Sequence, residues 1–155
     1  MQFDQLKRRA FIALLGGAAG AWPFAARGQQ GERMRRIGVL EPLAVDDPET
    51  LARVTAFAQG LQQLGWTVGK NVQIDYRWGA GDADRLRKFA AELVALAPDV
   101  ILVSSNVVLA PILQAAPTIP IVFTQVIDPV GSGFVESMAQ PGGNVTGFTQ
   151  LNTTL

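Results

Sequence analysis

Three hydrogen-bonding side chains, Ser104-Ser105-Asn106, follow directly on the apolar run Val100-Ile101-Leu102-Val103 and precede a stretch of helical pattern. At a strand-to-helix junction such residues can cap the helix, or join its free N–H groups in holding a carboxylate or phosphate. A second group, Thr124-Gln125-Val126-Ile127-Asp128-Pro129, ends the apolar run of residues 119–123 and leads into Val130-Gly131-Ser132-Gly133. Its glycines could let a backbone approach a ligand, or could simply serve a turn with an Asp128 or Ser132 cap. No dinucleotide fingerprint follows, because Glu136 stands where Gly or Ala would have to close it, and no P-loop is present.

Composition removes most other chemistry. The 155 residues include no Cys and no His, which excludes disulfides, thiolate or Ser-His nucleophiles, Cys or His zinc sites and an imidazole proton shuttle. Carboxylates, hydroxyls, amides, Lys, Arg and backbone remain. No metal or cofactor is expected, and an enzyme would need a carboxylate such as Glu41 or Asp128 beside an activated hydroxyl.

The net charge of zero divides unevenly. Residues 1–30 carry Lys7, Arg8, Arg9 and Arg27 against Asp4, a net +3, and the remaining nine basic and twelve acidic residues give −3. A mildly acidic body without a Lys/Arg-rich run argues against a nucleic-acid partner. Residues 10–26 contain no charge, but they are fewer than the roughly 20 a spanning helix needs and are interrupted by Gly16, Gly17, Gly20 and Pro23. With basic residues before them and Ala25, Ala26 and Gly28 after, residues 1–30 read as an export signal peptide; a retained anchor helix is the alternative. Lys7-Arg8-Arg9-Ala10-Phe11-Ile12 resembles a twin-arginine signal, with Lys7 where Ser or Thr is usual and Ala13 where Lys often closes the motif. Export makes the body periplasmic.

Behind the signal, strand and helix patterns alternate. Residues 36–40 form an apolar run before Pro42; Leu51, Val54, Ala58, Leu61 and Leu64 recur near helical spacing, and Gly65 suits a left-handed cap. Val72, Ile74, Tyr76 and Trp78 alternate with Gln73, Asp75 and Arg77, which predicts a strand near a sheet edge. The aromatics Trp66, Tyr76 and Trp78 fit packing better than ligand stacking. Leu86, Phe89, Ala90, Leu93, Val94 and Ala97 then mark a helix with Asp82 as its cap and Pro98 beyond its end. After residues 99–103 as a buried strand come a short helix ending at Pro117 and a strand whose ladder starts after Pro120. A short helix over residues 132–138 and a fifth strand over residues 144–148 complete the reading. Asn144 and Asn152 fit the N-glycosylation pattern, which a bacterial-type signal makes irrelevant.

This alternation predicts an α/β fold: a three-layer parallel sheet with helices on both faces, in the order 2-1-3-4-5. Ligands bind such sheets beyond the carboxyl ends of the strands, at the switch point between strands one and three. Glu41, Pro42, Leu43, the Ser104-Ser105-Asn106 cluster and residues 124–128 lie there. Phospho-receiver domains share this order and an acidic pair after strand one, as in Asp46-Asp47. They also need an Asp at the end of strand three and a late Lys; here Ser104-Ser105 stand at that end and no Lys follows Lys88. Asp46-Asp47-Pro48 therefore reads as the turn that starts the first helix.

The segments R-R-I-G-V-L, F-x-x-G-L-x-x-L-G-W over 57–66, N-V-x-I-D-Y-R-W from Asn71, P-D-V-I-L-V-S-S-N, I-P-I-V-F and D-P-V-G-S-G-F-V-E-S-M-A-x-P-G-G-N-V-T-G-F resemble the ABC-transporter substrate-binding proteins of the tryptophan/tyrosine type. That family has a type I periplasmic binding-protein fold, in which two lobes close on a small solute, in some members an aromatic amino acid, and dock on an inner-membrane ABC permease. The resemblance implies ligand contacts at Pro42, Leu43, Ser104, Ser105, Asn106, Thr124, Asp128 and Pro129, with the ligand carboxylate at the Ser/Asn cluster and no catalysis. Residues 31–150 would form the N-terminal lobe, and residues 151–155 a truncated crossover to a missing second lobe. Alternatives are a single-lobe interaction protein that self-associates through its exposed cleft face, and a non-functional fragment.

Overall fold

The computed structural model describes residues 33–149; the export signal and the crossover expected at the two ends lie outside them. Eight elements alternate: β1 (Arg35–Glu41), α1 (Pro48–Gln63), β2 (Val72–Trp78), α2 (Ala83–Ala95), β3 (Val100–Ser104), α3 (Asn106–Ala115), β4 (Ile121–Val126) and β5 (Val145–Thr149). All strand pairs are parallel, in the order β2-β1-β3-β4-β5. The expected order is thus observed, with β4 beginning just after Pro120.

Local chemistry sets the boundaries. Asp47 accepts from the Thr50 backbone N–H at 3.0 Å and Pro48 occupies the first turn of α1. Gly65, at φ +87°, follows the α1 cap residue Leu64. The carboxylate of Asp82 caps α2 by accepting from Asp84 and Arg85 N–H groups at 2.9 and 3.0 Å.

Connection handedness decides which face each helix covers. The step from β1 to β2 runs one way along the sheet and every later step runs the other way, so right-handed crossovers put α1 alone on one face and α2 and α3 on the other. Strand alternation agrees. Leu40, Ile101, Val103, Ile121, Phe123 and Val145 point to the α2/α3 side, where they join Leu93, Leu109 and Ile112 in the main core. Each such side chain contributes about 1.5–3 kcal/mol on burial. On the α1 side, Val39 is buried whereas Leu102 and Val122 are only partly covered and Phe148 is 73% exposed. Thr50 is the sole fully buried residue of α1.

The polar face of β2 turns toward α2 rather than to open solvent. There Arg77 pairs with Glu92 at 3.0 Å, and Asp75 with Arg36 at 3.4 Å. Tyr76 and Trp78 lie on the α1 side and stack on each other, centroids 5.5 Å apart at 6°.

The helix expected over residues 132–138 does not form. Gly131 and Gly133, the latter at φ +73°, interrupt the segment, and its amides find turn partners: Ser132 N bonds Asp128 O, while Phe134 N and Val135 N both bond Pro129 O. Buried Val135 pins this loop to the core. The loop ends in Asn144, whose amide donates to the carbonyls of Ala116 and Ile119 at 2.8 and 2.6 Å.

Candidate functional site

The carboxyl ends of β1, β3 and β4 meet in a compact polar cluster. Ser104 and Thr124 are register neighbours, and Ser105 N donates to Thr124 O at 3.1 Å. Ser104, itself buried, donates from Oγ to Glu41 Oε2 at 2.7 Å. Arg53, from the second turn of α1, reaches the same oxygen at 3.3 Å, Thr50 Oγ1 at 3.3 Å and Glu49 at 2.7 Å. One carboxylate therefore joins the ends of β1 and β3 to α1.

Ser105 occupies the N-cap of α3 without capping it. Its backbone sits at φ +80°, a conformation that costs a non-glycine residue about 1–3 kcal/mol. Its Oγ is enclosed and has no hydrogen-bond partner. Simple capping therefore does not account for the cluster. Asn106 instead clamps the next loop: Nδ2 donates to Ile127 O at 2.8 Å, and Oδ1 accepts from Ile127 N at 2.9 Å.

Two clefts flank this ridge. On the α2/α3 side, Pro42 and Leu43 form one wall of a cleft of ≈ 590 Å³, whose far wall includes Leu86, Val107 and Pro111. Backbone bonds from Gly81 N to Pro42 O and from Ala80 N to Leu43 O hold that loop against the start of α2. On the α1 side, a pocket of ≈ 310 Å³ lies among Val39, Glu41, Arg53, Phe57, Leu102 and Thr124. Gln125, at φ +55° beside a register shift in the β4–β5 ladder, also faces this pocket.

The residues selected from sequence thus separate into groups. Ser104, Ser105, Asn106 and Thr124 come together on the ridge, and Pro42 and Leu43 line the neighbouring cleft. Asp128 and Pro129 join through Asn106 and Ile127, but both make turn contacts: the exposed Asp128 carboxylate accepts from Gly131 N at 2.9 Å, and Pro129 is buried. Gln125 belongs to the run 124–128 selected from the strand ends, whereas no sequence expectation falls on Arg53 or Thr50. The signal for Arg53 was its spacing from Thr50 and Phe57, which places a cation on the sheet-facing stripe of α1. Among the described residues no cluster of carboxylates could hold a metal ion, and no helix is long and apolar enough to cross a membrane.

Residues 36–154 match the family model for ABC transporter substrate-binding proteins. A tyrosine-binding protein of Clostridioides difficile is 30% identical over 116 residues, which are 75% of this chain and 33% of that protein. The ligand-free, open structure of a substrate-binding protein with adhesive properties from Clostridium difficile superposes with a TM-score of 0.72 at 27% identity, covering 78% of this chain and 40% of that one. A domain from Streptococcus pneumonia in complex with L-Trp gives 0.69 at 26% identity, covering 75% and 38%. A conserved domain protein from Vibrio cholerae gives 0.73 at 32% identity, covering 78% and 40%. The chain spans about a third of the curated relative, and it superposes on these structures over most of its own length. It belongs to the ABC transporter substrate-binding protein family.

Proposed function

We propose that the chain captures a small solute of the amino-acid class at the carboxyl edge of its sheet, in the periplasm, for delivery to an inner-membrane ABC permease. The observation that carries this reading is Ser105: an enclosed hydroxyl without a partner, held at the N-terminus of α3 at the switch point of the sheet. Free N–H groups at that helix start suit a carboxylate. Pro42, Leu43, Ser104, Ser105, Asn106 and Thr124 form the ligand-facing edge, with Asp128 and Pro129 shaping the loop beside it. The L-Trp complex and the tyrosine-binding relative support an aromatic amino acid as the first ligand to try. Nothing in this reading requires catalysis or a cofactor.

One lobe supplies one wall of a cleft, and tight capture needs a wall on each side. Val107, Ile127 and Val130, 63%, 52% and 43% exposed near this edge, suit a face that is covered when the site closes, by a second lobe or a second copy. Isothermal titration of the purified chain with L-Trp, L-Tyr and branched amino acids tests the reading. Binding that appears or tightens when a second lobe is supplied supports it, and failure of both forms across the panel overturns it. Size-exclusion with light scattering tests pairing of copies, which a monomer at high concentration excludes.

A further inference from the structure

The pocket beneath α1 has a charge balance that selects among ligand groups. Its walls are apolar at Val39, Val54, Phe57 and Leu102, and its polar lining is Glu41, Arg53, Thr124 and Gln125, of which Glu41 and Arg53 carry charge. Arg53 is engaged mainly by the protein: Nη1 is bonded to Glu49 and Nη2 to Glu41 and Thr50, while the enclosed Nε has no partner. Its one positive charge meets two carboxylates, so the group carries a net negative charge.

Glu41 keeps acceptor capacity. Both of its bonds, from Ser104 and Arg53, fall on Oε2, and among the described residues none falls on Oε1. A carboxylate offers about four lone-pair sites, so half of this one remains available. Glu41 is 4% exposed, and what is exposed looks into the pocket. A cationic donor entering from the strand ends would find an acceptor already oriented from behind by Ser104 and Arg53.

We propose that this pocket recognises the ammonium group of an amino-acid ligand, with Glu41 as the accepting carboxylate and Arg53 as the residue that positions it. The inference rests on the ligand reading above and adds a second anchor point to it, the carboxylate being held across the ridge at the start of α3.

The test is a 1H–15N NMR titration of the full chain, which reads dissociation constants into the millimolar range, with L-tryptophan, tryptamine and indole-3-propionate. Tryptophan should bind at least about tenfold more tightly than indole-3-propionate, which lacks the ammonium, and tryptamine, which lacks the carboxylate, should still shift the amides of Glu41 and Arg53. Glu41→Gln, which retains an acceptor for Ser104, should close that gap. Equal binding of tryptophan and indole-3-propionate by the wild-type chain overturns the proposal, as does a Glu41→Gln variant that keeps the gap. If the variant does not fold, the wild-type comparison decides alone. Shifts at Ser105 and Asn106 without ammonium discrimination leave the ligand reading standing and remove this inference; no shifts with any compound remove both.

Discussion

Ser104 Oγ donates to Glu41 Oε2 at 2.7 Å, a buried bond that ties the end of β3 to the end of β1. The two residues are 63 positions apart, and the bond forms where the sheet order reverses direction. This buried contact therefore lies at the switch point of the sheet, and α1 is attached to it through Arg53.

Ser104→Ala should lower stability by about 1–3 kcal/mol, because it leaves a buried carboxylate with one partner fewer. Urea unfolding followed by tryptophan fluorescence reads this directly. Glu41→Ala should cost more, since it also leaves Arg53 facing only Glu49 and Thr50. Equal midpoints for wild type and Ser104→Ala would show that the bond contributes nothing.

Acid stability should depend on Asp82. Its carboxyl is held below the usual Asp range chiefly by the hydrogen bond from Arg85 N, which outweighs the opposing desolvation and is joined by the bond from Asp84 N. A lowered folded pKa means that the contribution is present above the ordinary Asp value near 3.8 and is lost as pH falls through the folded value. Asp82→Asn, which can still cap, should flatten the loss of melting temperature below that pH, whereas Asp82→Ala should lose stability at neutral pH too.

How much was legible in the sequence varies by element. The apolar stripe of α2, the Asp82 cap, the helix-starting turn at Asp46-Asp47-Pro48 and the placement of β4 after Pro120 were readable because they depend on neighbours in the chain; of the stripe expected for α1, Leu51 and Leu64 are exposed, and Thr50 is the residue that helix buries. Residues 132–138 were misread because their apolar positions, Phe134 and Val135, are anchors for a turn-rich crossover, and periodicity over a single turn cannot distinguish the two. The ridge residues Ser104, Ser105 and Asn106 followed from the rule for strand ends. The spacing of Arg53 from Thr50 and Phe57 puts it on one stripe of α1, but its partner Glu41 follows only once right-handed crossovers set α1 over β1. Asp128 and Pro129 were selected by position, yet their contacts belong to the loop itself.

The alkaline limit should report on Tyr76, the one tyrosine in the chain. Burial raises its pKa above 10.0. The folded state then holds the phenolic proton more tightly than the unfolded state, so stability is full below the unfolded value and declines as pH rises through the folded one. Absorbance at 295 nm should show a single ionisation shifted upward from that of the urea-unfolded chain. Tyr76→Phe should remove the corresponding part of the alkaline loss in melting temperature.

Two glycines should respond in opposite directions to the same substitution. A Cβ on Gly147 of β5 would collide with the Phe123 backbone carbonyl and ring, so Gly147→Ala should cost about 1–3 kcal/mol by forcing β5 from β4. Gly60 lies inside α1 with nothing within 4 Å of the added carbon, and Gly60→Ala should gain about 0.5–1 kcal/mol. Thermal melts of the pair check both signs, and a destabilised Gly60→Ala would mean that α1 sits closer to the sheet than its exposure indicates.

Asn106 should control the loop beyond β4. Its side chain makes both bonds that a backbone neighbour would make to Ile127, donating to the carbonyl at 2.8 Å and accepting from the N–H at 2.9 Å. Asn106→Asp can keep the second bond only, and it sets a carboxylate against the Ile127 carbonyl. Asn106→Ala keeps neither. Hydrogen exchange at the Ile127 amide should therefore accelerate about tenfold or more in Asn106→Ala and less in Asn106→Asp, while core amides such as Phe123 stay protected. Because Ile127 adjoins Asp128 and Pro129, the same variants should weaken any ligand held at the strand ends even though Asn106 is occupied with the loop. Unchanged exchange at Ile127 would release Asn106 from that role and make it available for direct ligand contact.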